Sequence, residues 1–280
     1  CVKMSLNERR LIIMITLKEV KTKKEARLFT EFPNKMYRKN PYFVPALSMD
    51  EINVFDPKKN PVFEYCEAIR YLAYRDGKIV GRIAGIINHQ WNKAYNIKKA
   101  RFTRLDMIDD LDVTKALIDQ ITTWSLEKGM DTLIGPIGFT DLDRQGMLVE
   151  GFDQLSMFIT VYNAPYYMEH MDKLGFMKDV DWTEKQIKWP TEVSEKIKRG
   201  AEIARKRYGY ELIKCKSKKE IFGYIYEAFD MYNVAFNELY GFFPITRKVM
   251  DYYIKQMIMI VSLEYLWFVL DKEKKLVGFT

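Results

Sequence analysis

The chain reads as a mixed α/β protein, a sheet with helices on both faces, followed by a partial second copy of the same unit. Three observations predict this. Short apolar runs with strand periodicity alternate with amphipathic stretches of helical periodicity from Met14 to Phe176. Asp76-Gly77 stands between two strand-like runs, and that dipeptide favours a tight two-residue hairpin turn. Finally, "LKEVKTKKEA" from Leu17 returns as "LIKCKSKKEI" from Leu212, and Val80-Gly81 returns as Val277-Gly278.

Taken in order, residues 14–20 form the first strand. Thr22 with Glu25 three residues on is a capping box that opens a helix, and Pro-punctuated helical sequence continues through Pro61. A hairpin over 68–88 follows, with strands 71–75 and 79–87, then a strand over 100–108. Asp112 is expected to cap a helix over 113–128, whose Val113, Leu117, Ile121 and Trp124 share one face, and Gly129 ends it. Strands are expected in "DTLIGPIG" and, after a long loop, in "SMFITVY". A helix over 165–174, the pair Gly175-Phe176 and closing strands complete the unit. Ser217 and Glu220 repeat the capping box in the second copy, which reaches its third strand at Thr280. The expected division is a tail or upstream segment 1–13, a first domain 14–190, a basic linker helix 191–206 and an incomplete second domain 207–280.

Composition narrows the function. At 280 residues, 48% hydrophobic and 30% charged, the chain is too apolar for a disordered protein. Its formal charge of +7 permits contact with RNA or an anionic ligand without demanding it. Cys1, Cys66 and Cys215 lie far apart, and His89 and His170 are the two histidines, so neither a zinc spacing nor a disulfide framework is present. No metal is expected, and a cytoplasmic location is. The apolar stretch Met257–Leu270 is broken by Ser262 and Glu264 and is too short to span a bilayer. "LIIMI" after Arg9-Arg10 is shorter than the apolar region of a signal peptide, so no membrane partner is expected.

"YNAPYYMEHMDKLGF" with this element order resembles the GNAT superfamily of N-acyltransferases. Together, "NPYFVPAL", "FDPKKNPVFEY", "YRDGKIVGRIAGIINH", "GPIG", "GMLVEGFD" and "YNAPYY" are similar to a bacterial subgroup with tandem GNAT-like domains. The resemblance implies transfer of an acyl group, from coenzyme A or a carrier protein, to an amine. Acyl-CoA enters on that ground alone, and the partner it implies is a small-molecule acyl donor or acceptor.

The resemblance places chemistry at three points. Acyl-CoA enzymes of the superfamily hold the pyrophosphate on a glycine-rich turn before the central helix. Asp109 to Val113 stand there, with Asp109, Asp110 and Asp112 and no glycine. A helix N-terminus attracts an anion by roughly 0.3–1 kcal/mol. Each aspartate about 6 Å from a phosphate repels it by roughly 0.7–3 kcal/mol. Repulsion wins, so the junction is expected to lack a pyrophosphate site. The superfamily's general acid is often a Tyr four residues before the Gly of Gly-Phe, where Met171 stands. Tyr166, Tyr167 and His170 are neighbours able to donate a proton, with Tyr166 and Tyr167 the candidates and His170 expected on a solvated helix face. The loop 138–153 offers Glu150 as a general base, and Asp141, Asp143 and Arg144 as substrate-binding groups. Its Asp-x-Asp-x-x-Gly start fails as a calcium loop, because Phe152 stands where a bidentate Glu is required. Asn163, at the strand end before the helix, completes the substrate-binding set.

Two other readings stay open. One is a non-catalytic GNAT-like module that binds a ligand or protein, suggested by the missing glycines and by Met171. The other is an aminoacyl-tRNA-dependent transferase, since Fem-type peptidyltransferases have tandem GNAT-like domains without a coenzyme loop, and the basic run 195–210 suits RNA.

Overall fold

The structure, a computed structural model, describes residues 14–157, 160–188 and 190–280. The chain divides into two compact units between Asp179 and Val180. In the first, β1 (Thr16–Glu19), β2 (Cys66–Arg75), β3 (Lys78–Asn88), β4 (Lys99–Met107) and β5 (Thr132–Ile134) form one sheet in chain order. Its first four strands are antiparallel, and β5 runs parallel to β4.

The local signals hold. Thr22 accepts from Glu25 N–H while Glu25 returns to the Thr22 backbone, and α1 (Lys23–Met36) begins there. Asp76 and Gly77 both have positive φ, 50° and 72°, as a type I′ hairpin requires. The helix α4 (Leu111–Glu127) buries Val113, Leu117, Ile121 and Trp124 against one face of the sheet. Gly85 makes that approach feasible, since a Cβ there would lie 2.8 Å from the Trp124 ring. The opposite face meets α1, where Arg82 stacks 4.9 Å from the Phe29 ring and donates to the Phe29 carbonyl. Between α1 and β2 lies α2 (Ser48–Val54), and α3 (His89–Tyr95) follows β3.

Four expectations are corrected. The cap of α4 is Asp110, not Asp112: its carboxylate accepts from the N–H groups of Asp112 and Val113. Of the aspartates at that junction, the one before Leu111 can reach those two amides while its backbone stays extended. His170 is buried, 4% exposed, on α5 (Tyr166–Lys173) rather than on a solvated face. Its ring lies 2.8 Å from Thr114 Oγ1 and 3.3 Å from Asp109, so polar partners offset its burial. The expected strand 156–162 is irregular in its described residues, Phe158 and Ile159 lying outside them. Ser156 binds the backbone at Tyr42 and Val44 instead of a sheet neighbour. The described residues after Phe176 form no closing strand up to Lys188, while Phe176 packs edge-on against Phe102.

The second unit repeats the opening of the first. After α6 (Glu195–Tyr208) come β6 (Glu211–Lys214), α7 (Lys218–Ile221), α8 (Ile225–Ala235), α9 (Arg247–Ile260), β7 (Trp267–Leu270) and β8 (Leu276–Phe279). The sheet order β6-β7-β8 matches β1-β2-β3. The pairs Glu211↔Leu270 through Lys214↔Trp267 reproduce Thr16↔Tyr74 through Glu19↔Tyr71 in register. Lys216 N–H donates to Glu220 as Lys21 N–H does to Glu25. The repeated sequence therefore folds as a repeated, partial unit.

Candidate functional site

The sheet opens beside β4. Pairing with β5 stops at Arg101↔Ile134, and Arg104, at φ 51°, bulges β4 where its register against β3 shifts. The second half of β4 faces loop 138–147 and α5 instead of a strand. A cavity of about 50 Å³ sits in that gap, lined by Asn34, Glu51, Arg82, Arg104, Asp106, Arg144, Asn163 and Tyr167 among others.

Charge around the cavity is neutralised in pairs. Arg82 Nε lies 2.6 Å from Asp106, with both side chains under a tenth exposed. Arg104 holds Glu51 with two bonds of 3.0 and 3.2 Å and donates to Thr103 Oγ1 at 3.0 Å. Burial alone would raise the Glu51 pKa, and the Arg104 charge more than reverses this, holding it well below the usual carboxylate range. Burial pushes Asp143 up, opposed by Arg104 at 3.9 Å and by the Phe139 N–H at 2.7 Å. Gly138 permits that approach, since a Cβ on it would lie 2.2 Å from the Asp143 Cβ. Burial lowers Arg144.

Two consecutive tyrosines of α5 close the open edge. Tyr166 donates to the Met107 carbonyl at 2.6 Å, and Tyr167 accepts from the Met107 N–H at 3.1 Å, so they occupy the hydrogen bonds a sixth strand would make. Tyr37 shares a bond of 2.9 Å with Tyr167, and Tyr37 itself accepts from the Ala164 N–H. Each phenol oxygen thus takes a backbone N–H. Only one of the two phenolic protons can lie between them, and with Tyr37 as donor the Tyr167 proton is left for the Tyr166 oxygen or for a group in the cavity, which Tyr167 lines and Tyr37 does not. Burial pushes both hydroxyls upward from the ordinary phenol range, with Asp106 adding to it, so both stay protonated.

The structure brings together Tyr167, Arg144 and Asn163 at the cavity wall, with Asp143 adjoining through Arg104. Asn163 is tied to the Leu148 N–H and carbonyl at 2.6 and 3.0 Å, which spends its amide on holding the loop. The Tyr166 proton is given to Met107, Asp141 accepts from Gln145, and Glu150 is exposed outside the lining. Glu51, Arg82, Arg104 and Asp106 were missed, since nothing in the sequence around them marks a site; the GPIG and YNAPYY stretches that flank the gap gave the available hint. Asn34 also lines the cavity; its Oδ1 is buried without a hydrogen-bond partner, while its Nδ2 reaches the Ala46 carbonyl at 3.4 Å. Cys66 is buried and its thiol is pushed up to about 12 by burial, which leaves it inert as a nucleophile.

At the turn before α4, Asp110 itself fills the anion position. One carboxylate oxygen takes the Asp112 and Val113 amides, and the other pairs with Arg75 at 2.7 Å. The Asp110 N–H is spent on the Ile108 carbonyl, so this turn does not fit a pyrophosphate. Calorimetric titration of coenzyme A is expected to show no binding here in the wild type. Asp109→Gly/Asp110→Gly, which frees the amides and Arg75, should bind weakly. Micromolar wild-type binding with the phosphates on the amides of 110–114 would restore a conventional site.

No family profile matches the chain. It is 25% identical over 229 residues to Protein YghO of Escherichia coli strain K12, across 80% of this chain and 57% of that one. Over 261 residues it is 23% identical to the bacterial ceramide synthase of Caulobacter vibrioides, across 89% of this chain and 65% of that one. The chain thus spans less than two thirds of either relative. Among solved structures, a tandem GNAT protein from the clavulanic acid biosynthesis pathway superposes with a TM-score of 0.50 at 11% identity, covering 95% of this chain and 73% of that one. With the element order, the hairpin, the splay beside β4 and the repeated opening unit, the fold is that of a GNAT protein, a first unit followed by a partial second.

Proposed function

We propose that the chain is an N-acyltransferase that joins an acyl group to an amine in the cavity beside β4. The observation that carries this reading is the Tyr37–Tyr167 pair, which leaves the Tyr167 proton outside their shared bond on the phenol that lines the cavity. In this scheme the amine nitrogen attacks the acyl carbon of a thioester, the C–N bond forms and the C–S bond breaks. Tyr167 protonates the departing sulfur, and the proton lost by the amine returns to the pair through water. The pair ends as it began, and the protein contributes placement and a proton rather than a covalent intermediate.

Asn34 supports an amine acceptor. A buried carbonyl oxygen without a partner costs stability until an N–H or O–H reaches it, and an amine or amino alcohol supplies one. The name of the Caulobacter relative is in keeping, since ceramide is an amide of a fatty acid with a long-chain amino alcohol. Coenzyme A is not held at the α4 turn, so the donor's phosphates bind elsewhere or the acyl group arrives on a different carrier. The test is mass-spectrometric detection of amide product from primary amines and amino alcohols, with acyl-CoA and carrier-bound acyl groups as donors. Asn34→Leu is expected to raise KM for the amine about tenfold, equivalent to one hydrogen bond of roughly 1.4 kcal/mol, with a smaller change in kcat. Amide formation from neither donor, with the protein folded, would leave the binding-module reading in its place.

A further inference from the structure

We infer that α6 is a docking surface for a membrane rich in anionic phospholipid. The inference does not depend on the acyl-transfer reading. No residue of this 14-residue helix is fully buried, and all but Ala204 are exposed. Ile197, Ala201, Ala204 and Tyr208 recur at the spacing that lines up one helix face, and Ile197 and Tyr208 are 63% and 49% exposed. About a quarter of the way round the helix to either side of that stripe stand basic residues: Lys198 and Arg205 along one flank, Lys196 and Arg207 along the other. Glu195 pairs with Lys198 at 2.8 Å, and the face opposite the stripe mixes Glu202 with Arg199, Lys206 and the exposed Ile203.

That arrangement separates two partners. A nucleic acid would use the cations and leave the apolar stripe in water. A bilayer surface uses both, because the stripe sinks to the level of the acyl chains while the flanking cations meet phosphate headgroups. The long Lys and Arg stems suit that geometry, since their charged ends reach outward while their methylenes stay beside the apolar stripe. Tyr208 adds to it: its ring stacks on Tyr210 at 5.4 Å with Arg207 above it at 5.6 Å, an amphipathic ring of the kind that settles at a headgroup boundary. Among the described residues no helix is long and apolar enough to cross a membrane, and a helix lying flat requires no such span.

The experiment is co-sedimentation of the full chain with vesicles of pure phosphatidylcholine and of phosphatidylcholine with one-third phosphatidylglycerol. Binding is expected on the anionic vesicles, at least tenfold above the neutral ones. Ile197→Gln/Tyr208→Gln leaves the charge unchanged and should lower that binding at least fivefold, while Lys196→Gln/Lys198→Gln/Arg205→Gln/Arg207→Gln should abolish it. Because no side chain of the helix is fully buried, circular dichroism and melting of both variants should stay close to the wild type. Equal binding to neutral vesicles, an unaffected apolar variant, or retention of RNA in a gel-shift assay without vesicle binding would each overturn the inference.

Discussion

Tyr167→Phe is expected to lower kcat for amide formation by about 10²–10⁴-fold, the range spanned by a positioned general acid. The ring stays in the core beside Met171 and Val113, so packing changes little while the proton is removed. Tyr37→Phe removes the partner that orients Tyr167 and leaves the acid itself, so a smaller loss, about tenfold, should follow. Tyr166→Phe is the control. It loses a bond to the Met107 carbonyl, a stability effect of roughly 0.5–1.5 kcal/mol, and no cavity proton. The pH profile carries a further signature. Burial raises the Tyr167 hydroxyl well above the ordinary phenol value, so the wild type should show no alkaline fall from this group at pH 10. The assignment fails if Tyr167→Phe keeps more than half of the wild-type kcat, or if Tyr166→Phe matches its loss.

What the sequence made legible follows from range. The hairpin turn, the Thr22 capping box and the repeat are encoded within a few residues, and each stands where its residues placed it. Tyr167 is a candidate on the sequence because the resemblance puts an acid near it, and the structure sets it on the cavity wall. The arginine–carboxylate cluster was not. Its members pair across 24 residues from Arg82 to Asp106 and across 53 from Glu51 to Arg104, and only the bulge in β4 turns them to one cavity. The sequence points to Asp112 rather than Asp110 as the cap because either carboxylate satisfies the same local rule. The pairing with Arg75, fixed by the hairpin, decides among them. His170 shows the same limit of range: polar neighbours in sequence suggest solvent, yet the ring is buried and its partners, Thr114 and Asp109, come from the distant turn and start of α4.

Glu51→Ala should destabilise the first unit by about 3–5 kcal/mol, because it leaves the buried Arg104 guanidinium without its bidentate partner. For a unit of this size that is a fall in melting temperature of roughly 6–20 °C. Asp143, 3.9 Å from Arg104 and pushed upward by burial, is too distant to replace two direct bonds. Glu51→Leu/Arg104→Met should recover much of the loss, since it removes both charges and leaves apolar volume beside Phe55, over whose ring Arg104 lies at 5.6 Å. The sign with pH follows from the depressed Glu51 value. Its contribution is complete above the unfolded value near 4.5 and is lost as pH falls toward the folded one, so wild-type stability should drop steeply on acidification below pH 4.5. Glu51→Gln lacks that component and should show a shallower acid limb from a lower neutral plateau. Melting curves from pH 3 to 7 separate these cases. If Glu51→Ala melts within 2 °C of the wild type, Arg104 finds another anion and the pair is not what holds the cavity wall.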